Sequence, residues 1–132
     1  MREYKFRGKR KDNGEWVYGY YADYDGSPII YSFSDPAFPV EIVPETVGQY
    51  TGLKDKKGSG EDLYQKDIVL LKAESDGGYS RAEQMGIIEW IDDGWAIVDK
   101  DGEYLCSLWD YIYNYCGGKQ SSVAENPELL EK

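Results

Sequence analysis

The sequence predicts a mainly β protein of two small antiparallel meanders, packed as an irregular barrel or sandwich and followed by a short C-terminal helical turn. Of its 132 residues, 41% are apolar and 15% are aromatic, and aromatic side chains favour the half-buried surface of a pleated sheet. Fifteen glycines supply turns. The length fits a single domain, 1–132, with its own core. We expect sub-lobes of roughly 1–44 and 45–132, and an SH3-type barrel is one form that the second can take.

The first meander occupies the first 33 residues. Three strands and two turns are predicted there, namely strand Tyr4–Arg7, turn Lys11–Gly14, strand Trp16–Ala22, turn Tyr24–Pro28 and strand Ile29–Phe33. Asn13-Gly14 is a strong hairpin signal. Gly19, inside a strand, indicates either a bulge or the close approach of another backbone. The three prolines of Ser34–Pro44 favour a loop or an edge strand, and this segment is the expected seam between the sub-lobes.

The second meander follows a polar turn at Lys54–Asp62. Its expected strands are Leu63–Lys72, Gly86–Ile91, Trp95–Val98 and Glu103–Leu108, the last three joined by Asp-Gly turns. We expect Ala73–Gln84 to be an exposed, mobile loop with a helical turn at its end. Trp109–Cys116 fits a strand or a short helix, and Gly117–Ser122 is expected to be a flexible link. Asn126-Pro127 is a typical helix start.

A central stretch resembles a known family. The run TVGQYTGLKDKKG at 46–58, the later LYQKDIV at 63–69 and the closing ENPELL at 125–130 are similar to the YopX family of small phage and prophage proteins. The resemblance implies a mainly β protein, with no established activity and no site residues. We interpret 46–69 as a hinge between the meanders, in which Tyr50 and Leu53 anchor the core and Lys54–Lys57 form a solvated turn.

Two segments depart from the family pattern. Where the family typically has glycine, this chain has Lys66, so we expect no backbone angle there that only glycine adopts. Between Cys116 and Glu125 the family usually has a more apolar strand, and the polar sequence here predicts that this strand is lost.

The charge distribution is strongly uneven. Residues 1–11 carry six basic and one acidic side chain, net +5, whereas the remainder carries nine basic and twenty-four acidic, net −15. Because an acidic surface repels phosphate, nucleic-acid binding is not expected. The basic strand fits an acidic partner or, more simply, the protein's own acidic groups. No apolar run is long enough to span a membrane and no secretion signal is evident, so we expect a cytoplasmic protein.

The sequence offers little equipment for catalysis. It has no histidine, which removes the usual proton shuttle at neutral pH. The acidic residues at Asp92-Asp93 and Asp99–Glu103 coincide with predicted Asp-Gly turns. The backbone conformation of these turns explains them better than metal binding does. Cys106 lies within a strand as a small apolar residue, and Cys116 has no base near it in sequence. We therefore predict no catalytic, cofactor-binding or metal-binding residues, no cofactor and no enzymatic activity.

Aromatic residues are the best candidates for a binding site. Five tyrosines cluster on the first meander, and they are Tyr18, Tyr20, Tyr21, Tyr24 and Tyr31. Strand alternation places Tyr18 and Tyr20 on one face and Tyr21 on the other. They fit ordinary core and surface positions, or a platform for a ligand. Trp90 and Trp95 flank a turn and are expected to pack across strands.

Three functional hypotheses follow. The first is a non-enzymatic binding or regulatory module acting on an unknown host or phage protein. The second is a nucleic-acid-related role, through the basic N-terminal strand or through acidic mimicry of DNA. The third is a carboxylate-dependent enzyme, which requires a pocket with converging acids. Self-association is also expected to be feasible, because small β proteins leave sheet edges to be covered.

Overall fold

The computed structural model describes residues 5–72, 83–92 and 94–131. The chain divides into two compact units, Met1–Gly52 and Leu53–Lys132. Within the described ranges, most of the regular structure is antiparallel strand, arranged in two sheets with one short α-helix. Both sheets are open, so neither is a closed barrel. The predicted mainly β class is confirmed. The boundary between the units lies between Gly52 and Leu53, whereas the sub-lobes expected from the sequence meet near 44/45.

The first unit is built on a meander. Its strands are β1 (Phe6–Lys9), β2 (Trp16–Tyr24), β3 (Ser27–Ser32), β4 (Pro39–Glu41) and β5 (Gly48–Lys54), with a 3₁₀ helix at Pro44–Thr46. The order in the sheet is β4-β3-β2-β1-β5, and the last two residues of β5 belong to the second unit. The proline-rich segment supplies the edge strand β4, where the N–H that Pro39 lacks is not needed for pairing.

One face of this sheet is the core of the first unit. Val17, Ile30 and Ile42 are buried there, and Phe6, Val40 and Val47 pack around them. Gly19 lies on the same face as Val17, and a β-carbon at this position would collide with the carbonyl oxygen of Tyr31. Of the two explanations predicted for Gly19, the close approach of another backbone applies, and this approach leaves no room for a side chain. At the β2–β3 turn, Asp25 and Gly26 have φ values of 51° and 86°, as expected for a tight hairpin turn.

The second unit carries the other sheet. Its strands are β6 (Asp62–Tyr64), β7 (Asp67–Leu71), β8 (Gln84–Ile91), β9 (Gly94–Val98), β10 (Tyr104–Ser107) and β11 (Lys119–Ser122), with helix α1 (Leu108–Asn114) and a 3₁₀ helix at Pro127–Glu131. The sheet order is β10-β9-β8-β7-β11, while β6 follows β5 in the first sheet. Its core contains Leu63, Val69, Ile88, Ile97, Leu108, Tyr111 and Ile112.

The C-terminal part tests four predictions made from the sequence. Leu108–Asn114 is a helix, begun by Ser107, whose hydroxyl accepts the N–H of Asp110 at 3.1 Å. The flexible link predicted at Gly117–Ser122 and the predicted loss of the last strand are both wrong, because β11 pairs antiparallel with β7. The predicted helical turn after Asn126 is present as the 3₁₀ helix, and its two leucines are half-buried.

Two further predictions concern the loops. Most of the Ala73–Gln84 loop lies outside the described residues, but Gln84 already begins β8, so the helical turn does not extend to it. At the turn between β6 and β7, Lys66 has a φ of 71°. The prediction that the lysine excludes a glycine-like angle is wrong: this residue adopts the left-handed region that favours glycine.

Candidate functional site

A row of aromatic side chains covers the face of the first unit opposite its core. Tyr18 and Tyr20 alternate along β2 with the buried Val17 and Gly19, so they face away from the core. Tyr31 lies directly opposite Tyr20 on β3. Phe33 follows β3, and its N–H donates to the carbonyl oxygen of Tyr18 at 3.1 Å. We call Tyr18, Tyr20, Tyr31 and Phe33 the aromatic surface.

The aromatic surface is ordered by ring packing and remains open to solvent. The rings of Tyr20 and Phe33 meet edge to face, with centroids 4.9 Å apart and planes at 86°. Tyr18, Tyr20 and Phe33 are nevertheless 42%, 58% and 46% exposed. Large apolar groups that stay in water while being held in fixed positions are typical of docking surfaces.

The structure separates the five candidate tyrosines into groups. Tyr18, Tyr20 and Tyr31 share the aromatic surface, as the alternation predicted for the first two. Tyr21 lies on the opposite face, where its ring is 5.3 Å from that of Phe6. Tyr24 ends β2 beside the hairpin turn and is 73% exposed. Tyr21 therefore does not share a surface with Tyr18, Tyr20 and Tyr31, whereas alternation places Tyr24 on the same face as Tyr18 and Tyr20, at the turn end of β2.

The basic N-terminal strand contacts rings and a carboxylate of its own unit. The ammonium of Lys5 lies 4.3 Å from the ring centroid of Tyr50, and the guanidinium of Arg7 lies 4.5 Å from that of Trp16. Arg10 forms a two-point ion pair with Asp12, at 2.8 and 2.9 Å. The hydrogen bond from Arg10 also lowers the pKa of Asp12. These contacts favour the simpler of the two interpretations, in which the basic strand serves the protein's own groups.

A groove of about 720 Å³ adjoins the aromatic surface within the first unit. Ligand sites commonly enclose roughly 300–1,000 Å³. The residues that line this groove come from the β1–β2 loop, the start of β2 and the segment from the end of β3 through β4; they are Arg10, Lys11, Asp12, Glu15, Trp16, Val17, Tyr18, Ser32, Phe33, Ser34, Asp35, Phe38, Pro39, Val40 and Glu41. Tyr18 and Phe33 belong to both features, so the groove continues the aromatic surface.

The groove combines aromatic walls with an acidic rim. Phe38 is 69% exposed, although it sits in a short loop between two prolines. Arg10 and Asp12 neutralise each other, which leaves Glu15, Asp35 and Glu41 against the single cation Lys11. The lining therefore has a net charge of −2.

Sequence reasoning missed Phe33, Phe38 and the groove acids as members of a site. Their loops are far apart in sequence, and only the pairing of β2 with β1 and β3 brings them together. The one available signal was Phe38, an aromatic residue flanked closely by Pro36 and Pro39 in a segment predicted to be loop. An apolar side chain in such a loop has no core position to fill and is a candidate for contact with a partner.

The second unit contains a buried carboxylate. Asp55 is 2% exposed, which overturns the prediction that Lys54–Lys57 is wholly a solvated turn. Its carboxylate accepts hydrogen bonds from the N–H and hydroxyl of Ser59, at 2.9 and 3.0 Å, from the N–H of Lys119 at 2.8 Å and from the hydroxyl of Tyr111 at 2.7 Å. Burial tends to raise the pKa of Asp55, but these hydrogen bonds outweigh it and the pKa lies below its usual value.

Asp55 and its neighbours have the properties of a structural cluster. Burial, followed by the hydrogen bond to Asp55, raises the pKa of Tyr111. Burial also raises the pKa of Cys106 to about 12, with a further contribution from Asp110. A thiol in this state is a poor nucleophile. In the described ranges, no group of three or more His, Cys, Asp or Glu side chains is placed to hold a metal ion.

The acidic turns of the second unit are explained by backbone hydrogen bonds. Asp99 Oδ1 accepts the N–H groups of Asp101 and Glu103, both at 2.9 Å. This confirms the turn interpretation of that run. Asp92 has a φ of 56°, while its neighbour Asp93 lies outside the described residues. Trp90 and Trp95 pair across β8 and β9 with rings 5.0 Å apart, as predicted.

These features define a small β protein with two open antiparallel sheets and an aromatic surface beside an acidic groove. The model of the family described as YopX protein matches residues 5–131. The chain belongs to the YopX family, and the resemblance seen in the sequence is confirmed.

One solved structure shows a similar fold. The crystal structure of protein EF1440 from Enterococcus faecalis is 21% identical in sequence, with 98% of this chain and 99% of that chain covered and a TM-score of 0.52. This likeness supports the mainly β fold. A comparison with curated proteins found no match. Across the part of the chain that is described, no helix is both long and apolar enough to cross a membrane.

Proposed function

We propose that this YopX protein is a non-enzymatic binding module that uses its aromatic surface to dock a protein partner. In keeping with the phage and prophage origin that the resemblance implied, the partner is a host or phage protein in the cytoplasm. The observation that carries the proposal is the row formed by Tyr18, Tyr20 and Phe33, which stays largely exposed although it is packed and ordered. Tyrosine and phenylalanine are enriched at interfaces, where a few such side chains supply most of the binding energy.

The geometry gives less support to the alternatives. Direct phosphate binding needs accessible cations, whereas Arg7 is 3% exposed, Lys5 lies over an aromatic ring and Arg10 is paired with Asp12. A carboxylate enzyme needs acids that converge in a pocket with perturbed pKa values. Among the described residues, the carboxylates of Asp55 and Asp67 are both buried. Four donors from the protein itself occupy that of Asp55, while that of Asp67 accepts the N–H of Tyr64 at 2.8 Å and lies 3.5 Å from the ammonium of Lys119.

The proposal is tested by affinity capture with the full chain immobilised, using extract from a bacterial host. Tyr20→Ala removes the centre of the aromatic surface, and Tyr104→Ala is a matched control because Tyr104 is 62% exposed and lies in the second unit. We expect a protein that is retained by the native chain and by Tyr104→Ala, and lost with Tyr20→Ala. Equal retention by both variants would contradict a role for this surface, and no retained protein would contradict the binding function.

A further inference from the structure

We infer that the groove takes an extended segment of a partner protein that contains proline together with arginine or lysine. This inference rests on the proposed function, since it names the kind of segment that the partner presents. The groove and the aromatic surface share Tyr18 and Phe33, so a partner docked on the surface has access to the groove. Tyr20 and Tyr31 do not line the groove, which allows the two regions to be tested separately.

The aromatic lining is the first reason for this choice. Trp16, Tyr18, Phe33 and Phe38 line the groove, and Phe38 is 69% exposed. Grooves lined with aromatic side chains bind extended proline-rich segments, because a polyproline helix loses little conformational entropy on binding and packs its rings against aromatic faces. Pro39, itself part of the lining, begins edge strand β4. It lacks the N–H that pairing with an added β-strand would use, so a segment bound there is held by side-chain contacts.

The charge of the lining supplies the second reason. Glu15, Asp35 and Glu41 are exposed, and no ion pair is recorded for them in the described part of the chain. Three carboxylates around a groove with aromatic walls attract a cationic segment and repel phosphate or carboxylate ligands. Lys11 is the remaining basic group of the lining once Arg10 and Asp12 are paired. A nucleotide or an acidic peptide is therefore a poor occupant, and a basic segment is a good one.

The test uses defined peptides and the full chain. The probe is a fluorescein-labelled peptide of about ten residues built from repeated proline-proline-arginine units. One comparison peptide has glutamate in place of each arginine, and another has glycine and serine in place of the prolines. Fluorescence anisotropy measures the Kd of each at low and at physiological salt. We expect the proline-arginine peptide to bind at least about tenfold more tightly than either comparison peptide, and less tightly as salt increases.

Matched variants separate the groove from general electrostatics. The groove variant carries Glu15→Gln, Asp35→Asn and Glu41→Gln. The control carries three changes that alter the net charge equally on the second unit, Asp101→Asn, Glu103→Gln and Glu131→Gln, all at exposed positions. We expect the groove variant to raise the Kd about tenfold, at roughly 0.5 kcal/mol for each charge, and the control to leave it nearly unchanged. Phe38→Ala is expected to raise the Kd at least about fivefold, as for loss of an interface aromatic.

Several outcomes would overturn the inference. They are no peptide binding at about 1 mM, equal affinity for the proline-arginine and proline-glutamate peptides, or equal weakening by the groove variant and the control. Equal affinity for the glycine-serine peptide would remove the role of proline. If Tyr20→Ala abolishes capture of a protein while the peptide does not bind, the docking function stands and the assignment of the groove fails. If the peptide binds but no partner protein is captured, the assignment of the groove stands and the docking function of the aromatic surface fails.

Discussion

The hydroxyl of Tyr111 on helix α1 donates to Asp55 Oδ1 at 2.7 Å, in the interior of the second unit. The two residues are 56 positions apart in sequence, and both are almost fully buried. This hydrogen bond connects the helix to the turn that follows β5. Because the acceptor is ionised and shielded from water, the bond belongs to the stronger class of charge-assisted contacts.

Substitution of this pair is expected to lower stability by different amounts. Asp55→Asn places an amide N–H₂ among groups that donate, so we expect a loss of about 2–4 kcal/mol in the free energy of unfolding. Tyr111→Phe removes one donor and should cost about 1–3 kcal/mol. Tyr113→Phe is the control, since Tyr113 is 52% exposed. Urea denaturation measures all three. If Asp55→Asn were as stable as the native chain, the cluster would not have the structural role described.

The same carboxylate should make stability depend on pH in the acid range. The pKa of Asp55 is lower in the folded protein than its usual value, so the unfolded chain binds the proton more readily. The stabilising contribution is thus fully present above a pH of about 4 and is lost as the pH falls through the folded pKa. We expect the free energy of unfolding to fall as the pH decreases below about 4, and to fall less steeply in Asp55→Asn. Parallel slopes in both proteins would contradict this assignment.

Lys66→Gly is expected to stabilise the protein. Lys66 has a φ of 71°, and a left-handed angle costs a residue with a β-carbon about 1–2 kcal/mol. Part of this gain is offset by the greater freedom of glycine in the unfolded chain, so we expect a net increase of ~0.5–1 kcal/mol, observed as a higher Tm. Lys100→Gly is the control. Its residue lies in a turn and does not have a positive φ, so the change should be neutral or destabilising.

Tyr50→Ala is expected to lower thermal stability. Tyr50 is 8% exposed, and the ammonium of Lys5 lies over its ring. Removal of a buried aromatic side chain typically costs about 3–5 kcal/mol. Differential scanning calorimetry should show a clear decrease in Tm, whereas Tyr104→Ala, at an exposed position, should not. A Tyr50→Ala protein with native stability and no partner binding would show that this residue belongs to a docking site.

The two cysteines should differ strongly in reactivity. Burial raises the pKa of Cys106 to about 12, so its thiolate fraction at pH 8 is below about one part in a thousand. Cys116 is only half-buried. A disulfide reagent added to the native protein should therefore modify one thiol quickly and the other only after unfolding. In Cys116→Ala the fast phase should disappear. Persistence of that phase would mean that Cys106 is accessible.

Local sequence patterns predicted those strands and turns whose conformation is determined by a few neighbouring residues. The Asp25-Gly26 turn and the Trp90–Trp95 pair are examples, since alternation and Asp-Gly sequences determine them locally. Strand β11 was missed because Lys119–Ser122 has no apolar alternation. It is a strand because β7 provides its backbone partners, and because Asp55 accepts the N–H of Lys119.

The candidate site was predicted only in part, because several of its residues are brought together by contacts between segments that are distant in sequence. Alternation along β2 correctly placed Tyr18 and Tyr20 on one face. The contributions of Phe38 and Glu41 depend on a short edge strand in a proline-rich segment, whose pairing with β3 the sequence did not reveal. Asp55 lies in a run of lysines that is typical of solvated turns, and its burial depends on residues 56 and 64 positions away.

The placement of the groove has a consequence for how its specificity is determined. Much of its lining comes from the loops on either side of β2 and β3, at 10–15 and 33–38, whereas the core beneath them depends on Val17, Ile30 and Ile42. Under the proposed function, substitutions in these loops would change what the groove binds without loosening the sheet. The specificity of such a module would then be set by exposed loop positions that are separate from the buried positions holding the sheet together.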